Sequence, residues 1–408
     1  MSDKLNASFF AGNRERLKTL FTGTAPIVLT ANGLLQRNSD VTYPFRQDST
    51  FWYLTGITEP DIVLVIDKTK EYLIVPERDE RRAAFDGSLE LSEFTERSGI
   101  ELILGDSAGW RQLGARLKKV KHVATLAASP AYVKSHGMYT NPARARLIKK
   151  LTSHNIDLEL LDLRPHITKM RAIKQPAEIE ILQSAIDLTS KSLLSLKKKG
   201  WQKFEYEYQL EAALTASFKS VGADHAYQPI VASGKNACTL HYVENNSKIA
   251  DDSLLLLDVG AEISHYAADI TRTYSTGTPT KRQQQVFDTV IAIQDFAYQQ
   301  LKVGAKLRDY EAAVEQYMGE KLRELGLIKV IEHDEVRKYY PHATSHFLGL
   351  DVHDVGDYDL PLEAGMVLTV EPGIYIPEEG IGVRIEDNIL IEADGIRVLS
   401  EKLPRMLE

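Results

Sequence analysis

Cysteine is nearly absent: Cys238 is the only one in 408 residues. An intrachain disulfide is therefore impossible, and so is a thiolate-rich zinc or iron–sulfur site. The chain also lacks an apolar run of the roughly 18 residues that a membrane helix needs. Positive charge is not in excess: 49 Lys and Arg face 57 Asp and Glu, and a net charge of −8 lacks the basic footprint of a nucleic-acid binder. Repeats and low-complexity tracts are missing, and a 43% apolar, 26% charged composition belongs to a folded chain rather than a disordered or collagen-like one. Asp3 and Lys4 precede only a short apolar patch, not the long one of a secretory signal, so a cytoplasmic location is expected.

At roughly 150 residues per domain, the length suggests two or three domains. Short apolar runs at 27–30, 62–66, 72–75, 101–104 and 122–126 predict strands. The runs at 62–66 and 72–75 flank the charged turn Asp67-Lys68-Thr69-Lys70, as in a hairpin. Trp110, Leu113 and Leu117 repeat at helical spacing, so this part reads as a sheet with flanking helices. A change of character at Arg164-Pro165 places the boundary between a first domain, 1–165, and a second, 166–408. There Pro176 opens a helix with a buried stripe of Ile179, Leu182, Ile186, Thr189 and Leu193, closed by three lysines and Gly200. Further helices are expected at 204–220, 283–300 and 309–325, and strands at 254–257, 366–370 and 383–389, giving an α+β second domain.

The acidic residues at the strand ends carry the chemistry. An apolar strand ends in Asp258-Val259-Gly260, and Asp269 follows eleven residues later. Two carboxylates at the edge of an apolar core are costly unless a cation or a base offsets them. The bland alternative pairs Asp269 with Arg272 and leaves Asp258 in water. His342, His346 and His353 fall within twelve residues; His342 and His346 would share a face if the segment were helical. A third apolar strand delivers Glu371 into a Pro-Gly turn, and Arg384 and Glu386 would point the same way along a regular strand. Asp258, Asp269, His346, Glu371 and Glu386 together make an oxygen-rich set with one imidazole. That set suits Mn²⁺, Co²⁺, Zn²⁺ or Fe²⁺, and bridging carboxylates can hold two ions roughly 3.5 Å apart.

These blocks, in this order, resemble the pita-bread-fold metallopeptidases, and within them the Xaa-Pro aminopeptidase (aminopeptidase P) and prolidase branch. The resemblance runs through Tyr43-Pro44-Phe45-Arg46-Gln47-Asp48-Ser49-Thr50-Phe51-Trp52-Tyr53-Leu54-Thr55-Gly56, Asp258-Val259-Gly260, Asp269-Ile270-Thr271-Arg272-Thr273, Ser345-His346 to His353-Asp354, Glu371-Pro372-Gly373 and Arg384-Ile385-Glu386-Asp387. It implies a creatinase-like N-terminal domain before a pita-bread catalytic domain. It implies hydrolysis of the N-terminal Xaa-Pro bond by a hydroxide held between two divalent ions, Mn²⁺ being the family's usual metal. Asp258 would chelate one ion, Asp269 and Glu386 would bridge, and His346 and Glu371 would complete the second. Glu371 would also accept the water's proton. His353 would meet the substrate carbonyl, His241 the leaving group, and His342 and Arg384 would line or support the site. Peptides with proline second are the implied substrates, and a homodimer or homotetramer the implied assembly.

A prolidase acting on Xaa-Pro dipeptides is the alternative, because the segment between Glu371 and Glu386 is short for an aminopeptidase P. A non-catalytic pita-bread binding protein is the remote alternative, opposed by retention of all five ligand positions. Two further departures stand out: Ala343 follows His342 where the family has Gly, and Phe85 stands where a Trp is usual in the segment beginning at Arg78.

Overall fold

The computed structural model describes residues 5–68, 70–77, 80–127 and 137–408. Asp3, Lys4, Thr69 of the expected hairpin turn and Arg78 of the departing segment lie outside these. The chain divides into two compact units, 1–170 and 171–408, a division that falls inside the helix Arg164–Ala172.

The first unit is built on a six-stranded mixed sheet. Its elements are α1 (Ala7–Leu20), β1 (Ile27–Thr30), β2 (Gln36–Asn38), β3 (Val41–Thr42), α2 (Ser49–Thr55), β4 (Val63–Asp67), β5 (Lys70–Val75), α3 (Glu80–Asp86), α4 (Leu91–Ser98), β6 (Ile103–Gly105), α5 (Asp106–Leu117), β7 (His122–Thr125), α6 (Ala143–His154), β8 (Glu159–Asp162) and α7 (Arg164–Ala172). The sheet order is β6-β5-β4-β1-β7-β8. Four of the apolar runs become its interior strands and the run at 101–104 its edge strand β6, and β4 and β5 pair antiparallel from Val63↔Ile74 to Asp67↔Lys70. Trp110, Leu113 and Leu117 of α5 pack with Val65 and Ile74, as the helical spacing requires. The hairpin β2–β3 and the edge strand β8 have no apolar run to announce them. Phe85 is 84% exposed.

The second unit contains α8 (Pro176–Lys199), α9 (Glu207–Lys219), β9 (Asp224–His225), β10 (Ile230–Ser233), β11 (Leu254–Val259), β12 (Ala261–Ile263), β13 (Tyr266–Ala267), β14 (Ile270–Ser275), α10 (Lys281–Gln300), α11 (Leu307–Glu324), α12 (His333–Arg337), β15 (Val367–Val370), β16 (Gly373–Ile376), β17 (Ile381–Arg384), β18 (Asp387–Glu392) and β19 (Gly395–Val398). Four small antiparallel sheets run β10-β11-β14, β13-β12-β9, β15-β18-β19 and β16-β17. Helices α10 and α11 pack on β15 to β18 through Val286, Val290, Ile293, Val314 and Met318, all fully buried, whereas α8 packs on β12 and β13. Pro176 starts α8 with a capping box from Gln175 and Glu178, and Gly200 closes it at φ +88°.

Two sequence readings are corrected. The stretch 383–389 is not one strand: β17 and β18 belong to different sheets and break at Ile385-Glu386. The segment from His342 to His346 is not helical, because its backbone is consumed by the neighbouring strands. Thr369 N donates to the His346 carbonyl (2.9 Å), and Glu371 N donates to the Thr344 carbonyl (2.9 Å).

Candidate metal centre

The central sheet fixes the first carboxylate. Asp258 pairs in register with Ile230 on one side and Thr271 on the other. Strand β14 begins one residue after Asp269, so Asp269 and Thr271 share a face of the extended chain. Between Asp258 and Asp269 the chain makes the β12–β13 hairpin. Gly260 is required at its base, since a Cβ there would stand 1.8 Å from the Ala268 carbonyl oxygen.

Glu386 arrives from the break between β17 and β18. Its amide donates to the Thr271 carbonyl (3.0 Å), and its own carbonyl accepts from Arg272 Nη1 (2.6 Å). Arg272 does not pair with Asp269: its Nη2 meets Asp387 Oδ1 at 2.6 Å, and Asp258 is buried rather than hydrated. Arg384 and Glu386 reach the same site across the strand break rather than along one strand. Thr271 Oγ1 accepts from Arg384 Nε (3.1 Å) and donates to Glu386 Oε2 (2.7 Å).

His346 Nε2 lies 3.4 Å from Asp269 Oδ2 and 3.3 Å from Glu371 Oε1. Its Nδ1 faces the Phe347 carbonyl at 3.0 Å, so Nδ1 carries the proton and Nε2 is left for a cation. Thr369 joins the pair: its hydroxyl accepts from the His346 amide (3.1 Å) and donates to Glu371 Oε1 (3.2 Å). Ligand atoms of Asp269, His346 and Glu386 all lie within 4.8 Å of one another.

The electrostatics fit a cation. Among the described residues Glu386 Oε1 is buried without a hydrogen-bond partner, an expensive state for a carboxylate oxygen. Burial, then the charges of Asp269, Glu371 and Asp258, drive the Glu386 carboxyl well above its ordinary range. Burial likewise pushes Glu371 up to about 7. Although burial opposes it, contact with Asp269 and Glu371 raises His346 to about 9, so the pocket favours positive charge at Nε2.

The remaining expected residues stand around this centre. Arg384 Nη2 holds Asp258 Oδ2 at 2.6 Å, and Nη1 donates to the Tyr375 hydroxyl at 2.8 Å. Tyr375 passes its own hydrogen to His342 Nε2 (2.8 Å). Burial pushes the Tyr375 hydroxyl up to about 12 and His342 down to about 3, so both stay neutral in that chain. His342 Nδ1 is 3.8 Å from Glu371 Oε2. His353 is exposed, its ring centroid 4.2 Å from that of His346, and exposed His241 lines the same cavity. The cavity is about 820 Å³, with the carboxylates at its base and Ile230, Leu240, Val243 and Val352 on its walls.

Four residues here escaped the sequence reading: Tyr227, whose hydroxyl donates to Asp258 Oδ1 at 2.6 Å, and Thr271, Thr369 and Tyr375. The two threonines carried a signal, since each lies two residues from a carboxylate in an apolar strand. Tyr227 and Tyr375 carried none.

Fold and site define a metallopeptidase with an additional N-terminal domain. Residues 180–393 match metallopeptidase family M24, and residues 10–124 match the aminopeptidase P N-terminal domain. The chain belongs to the M24 family and has its pita-bread fold in the second unit. It is 34% identical to the Xaa-Pro aminopeptidase of Haemophilus influenzae, over 98% of this chain and 96% of that one. It is 35% identical to human Xaa-Pro aminopeptidase 3, over 93% of this chain and 78% of that one. The solved structure of proline aminopeptidase P II from Yersinia pestis superposes with a TM-score of 0.85 at 31% identity, covering 98% and 97% of the two chains.

Proposed function

We propose that this chain is an Xaa-Pro aminopeptidase that removes the first residue of peptides whose second residue is proline. The observation that carries the reading is the convergence of Asp258, Asp269, His346, Glu371 and Glu386 at the base of one apolar-walled cavity. In this reading Asp269 and Glu386 would be shared by two ions, Asp258 would serve one of them, and His346 and Glu371 would serve the other. Two divalent ions held there, Mn²⁺ by preference, would supply Lewis-acid charge able to acidify a water and polarise a carbonyl. Glu371 accepts the proton of the attacking water and returns it to the proline nitrogen, which has no hydrogen of its own in the bond. His353 donates to the carbonyl oxygen as negative charge develops there. His241 borders the leaving proline. Arg384 holds Asp258 directly, and Tyr375 links Arg384 to His342, whose ring stands beside Glu371. A homodimer or homotetramer in the cytoplasm completes the reading.

One observation favours a second reading, an Xaa-Pro dipeptidase: strands β16 and β17 close tightly, with Ile376↔Ile381 as their last pair. The test is hydrolysis of Gly-Pro against Gly-Pro-Ala by metal-stripped protein re-supplied with Mn²⁺. Faster release of glycine from the tripeptide supports the aminopeptidase. Cleavage of the dipeptide alone moves the function to prolidase. No metal uptake and no cleavage return it to a binding protein.

A further inference from the structure

The ring of His353 has no hydrogen-bond partner among the described residues, yet its place in the reaction demands a fixed direction. Its backbone supplies that direction. The loop from Phe347 to Asp354 closes on itself, with Asp354 N donating to the Phe347 carbonyl at 2.8 Å. That carbonyl also accepts from His346 Nδ1, so one oxygen ties the ligand imidazole to the residue after His353.

The side chain of Asp354 is 1% exposed and is gripped from both sides. Arg171 Nη2 binds its Oδ1, and Lys174 Nζ lies 3.3 Å from its Oδ2. Arg171 Nη2 also takes Asp351 Oδ2 at 2.8 Å. The two cations are themselves anchored. Lys174 N donates to the Gly365 carbonyl at 2.8 Å, and Ile173 bridges to Met366, immediately before the strand that delivers Glu371. Gly349 makes room, since a Cβ there would stand 2.0 Å from Asp354 Oδ2.

A buried ion cluster is a poor source of stability, because desolvation cancels much of its attraction. What it supplies is direction. We infer that Asp354 is the positioning residue of this site: clamped by Arg171 and Lys174, it aims His353 at the carbonyl and references it to the strand carrying Glu371. The inference rests on the Xaa-Pro aminopeptidase reading for its kinetic consequence, and on geometry alone for its structural one.

The test uses the full chain loaded with Mn²⁺. Asp354→Asn removes the charge and keeps the size. Gly349→Ala keeps every charge and displaces the carboxylate, and decides the matter if the first variant fails to fold. Each is expected to lower kcat on Gly-Pro-Ala by about 10- to 100-fold, with KM little changed and the bound metal undiminished. In a His353→Ala background, neither should lower kcat further. Crystal structures should show the 4.2 Å separation of the His346 and His353 rings lost in the variants. Full additivity with His353→Ala, or an unmoved His353 ring, overturns the inference. If the wild type cleaves no Xaa-Pro peptide, the functional reading falls and the ring geometry alone decides the positioning role.

Discussion

Arg384 and Asp258 meet at 2.6 Å inside the second unit, and the same guanidinium also binds Thr271 and Tyr375. Three partners use the planar fork of arginine, which a lysine cannot reproduce. Arg384→Lys is therefore expected to weaken metal binding and lower kcat/KM, each by about 10- to 100-fold. Calorimetric metal titration and peptide assays check this. Native affinity in the lysine variant would show that charge alone is needed.

Glu371→Gln keeps the shape of the side chain and removes both the anionic donor and the proton acceptor of the proposed reaction. Turnover should fall by about 100-fold or more while the circular dichroism spectrum is unchanged. Near-native turnover by a metal-replete variant would remove Glu371 from the reaction.

Gly260→Ala tests the base of the β12–β13 hairpin. The added methyl meets the Ala268 backbone first and the Tyr227 ring next, at 2.9 Å, so the strands must part. The expected cost is about 1–3 kcal/mol in denaturant unfolding. Weakened metal binding should accompany it, since the displaced Ala268 carbonyl adjoins Asp269.

Acid sensitivity is expected in the first unit. Burial alone would raise the Glu71 carboxyl, but Lys18 and Arg14, at 2.5 and 2.8 Å, outweigh it and hold Glu71 below its ordinary value. The unfolded chain therefore binds this proton more readily than the folded one. The stabilisation is fully present above the unfolded value, about 4.3, and disappears as pH falls through the lower folded value. Thermal midpoints of wild type and Glu71→Gln should differ at pH 7 and converge in that acid range. A gap independent of pH would assign the effect to packing.

The sequence exposed the site better than its scaffolding. Each carboxylate of the site ends or flanks an apolar strand, so Asp258, Asp269, Glu371 and Glu386 are visible as charges where a core is expected. His346 was visible through its neighbours His342 and His353. The break at Ile385-Glu386 was not, because the bonds that make it are long-range: Ile385 N to the Pro372 carbonyl, Glu386 N to the Thr271 carbonyl, and Arg272 to the Glu386 carbonyl. The non-helical path from His342 to His346 was hidden similarly, since the Thr369 and Glu371 amides that claim its carbonyls lie more than twenty residues away. Tyrosines 227 and 375 look like core aromatics until their hydroxyls are located.

The dispersal of the ligand residues also bears on the order of events during synthesis. The first carboxylate is residue 258 and the last is residue 386, held in place by the carbonyls of Leu403 and Pro404 through Arg272. While the ribosome is still adding residues beyond Glu386, the earlier ligands can form only a partial cup. A full metal complement could therefore be captured only once residues as far as Pro404 have been made and folded back onto Arg272, and the cation pool present at that stage would determine which ion is retained.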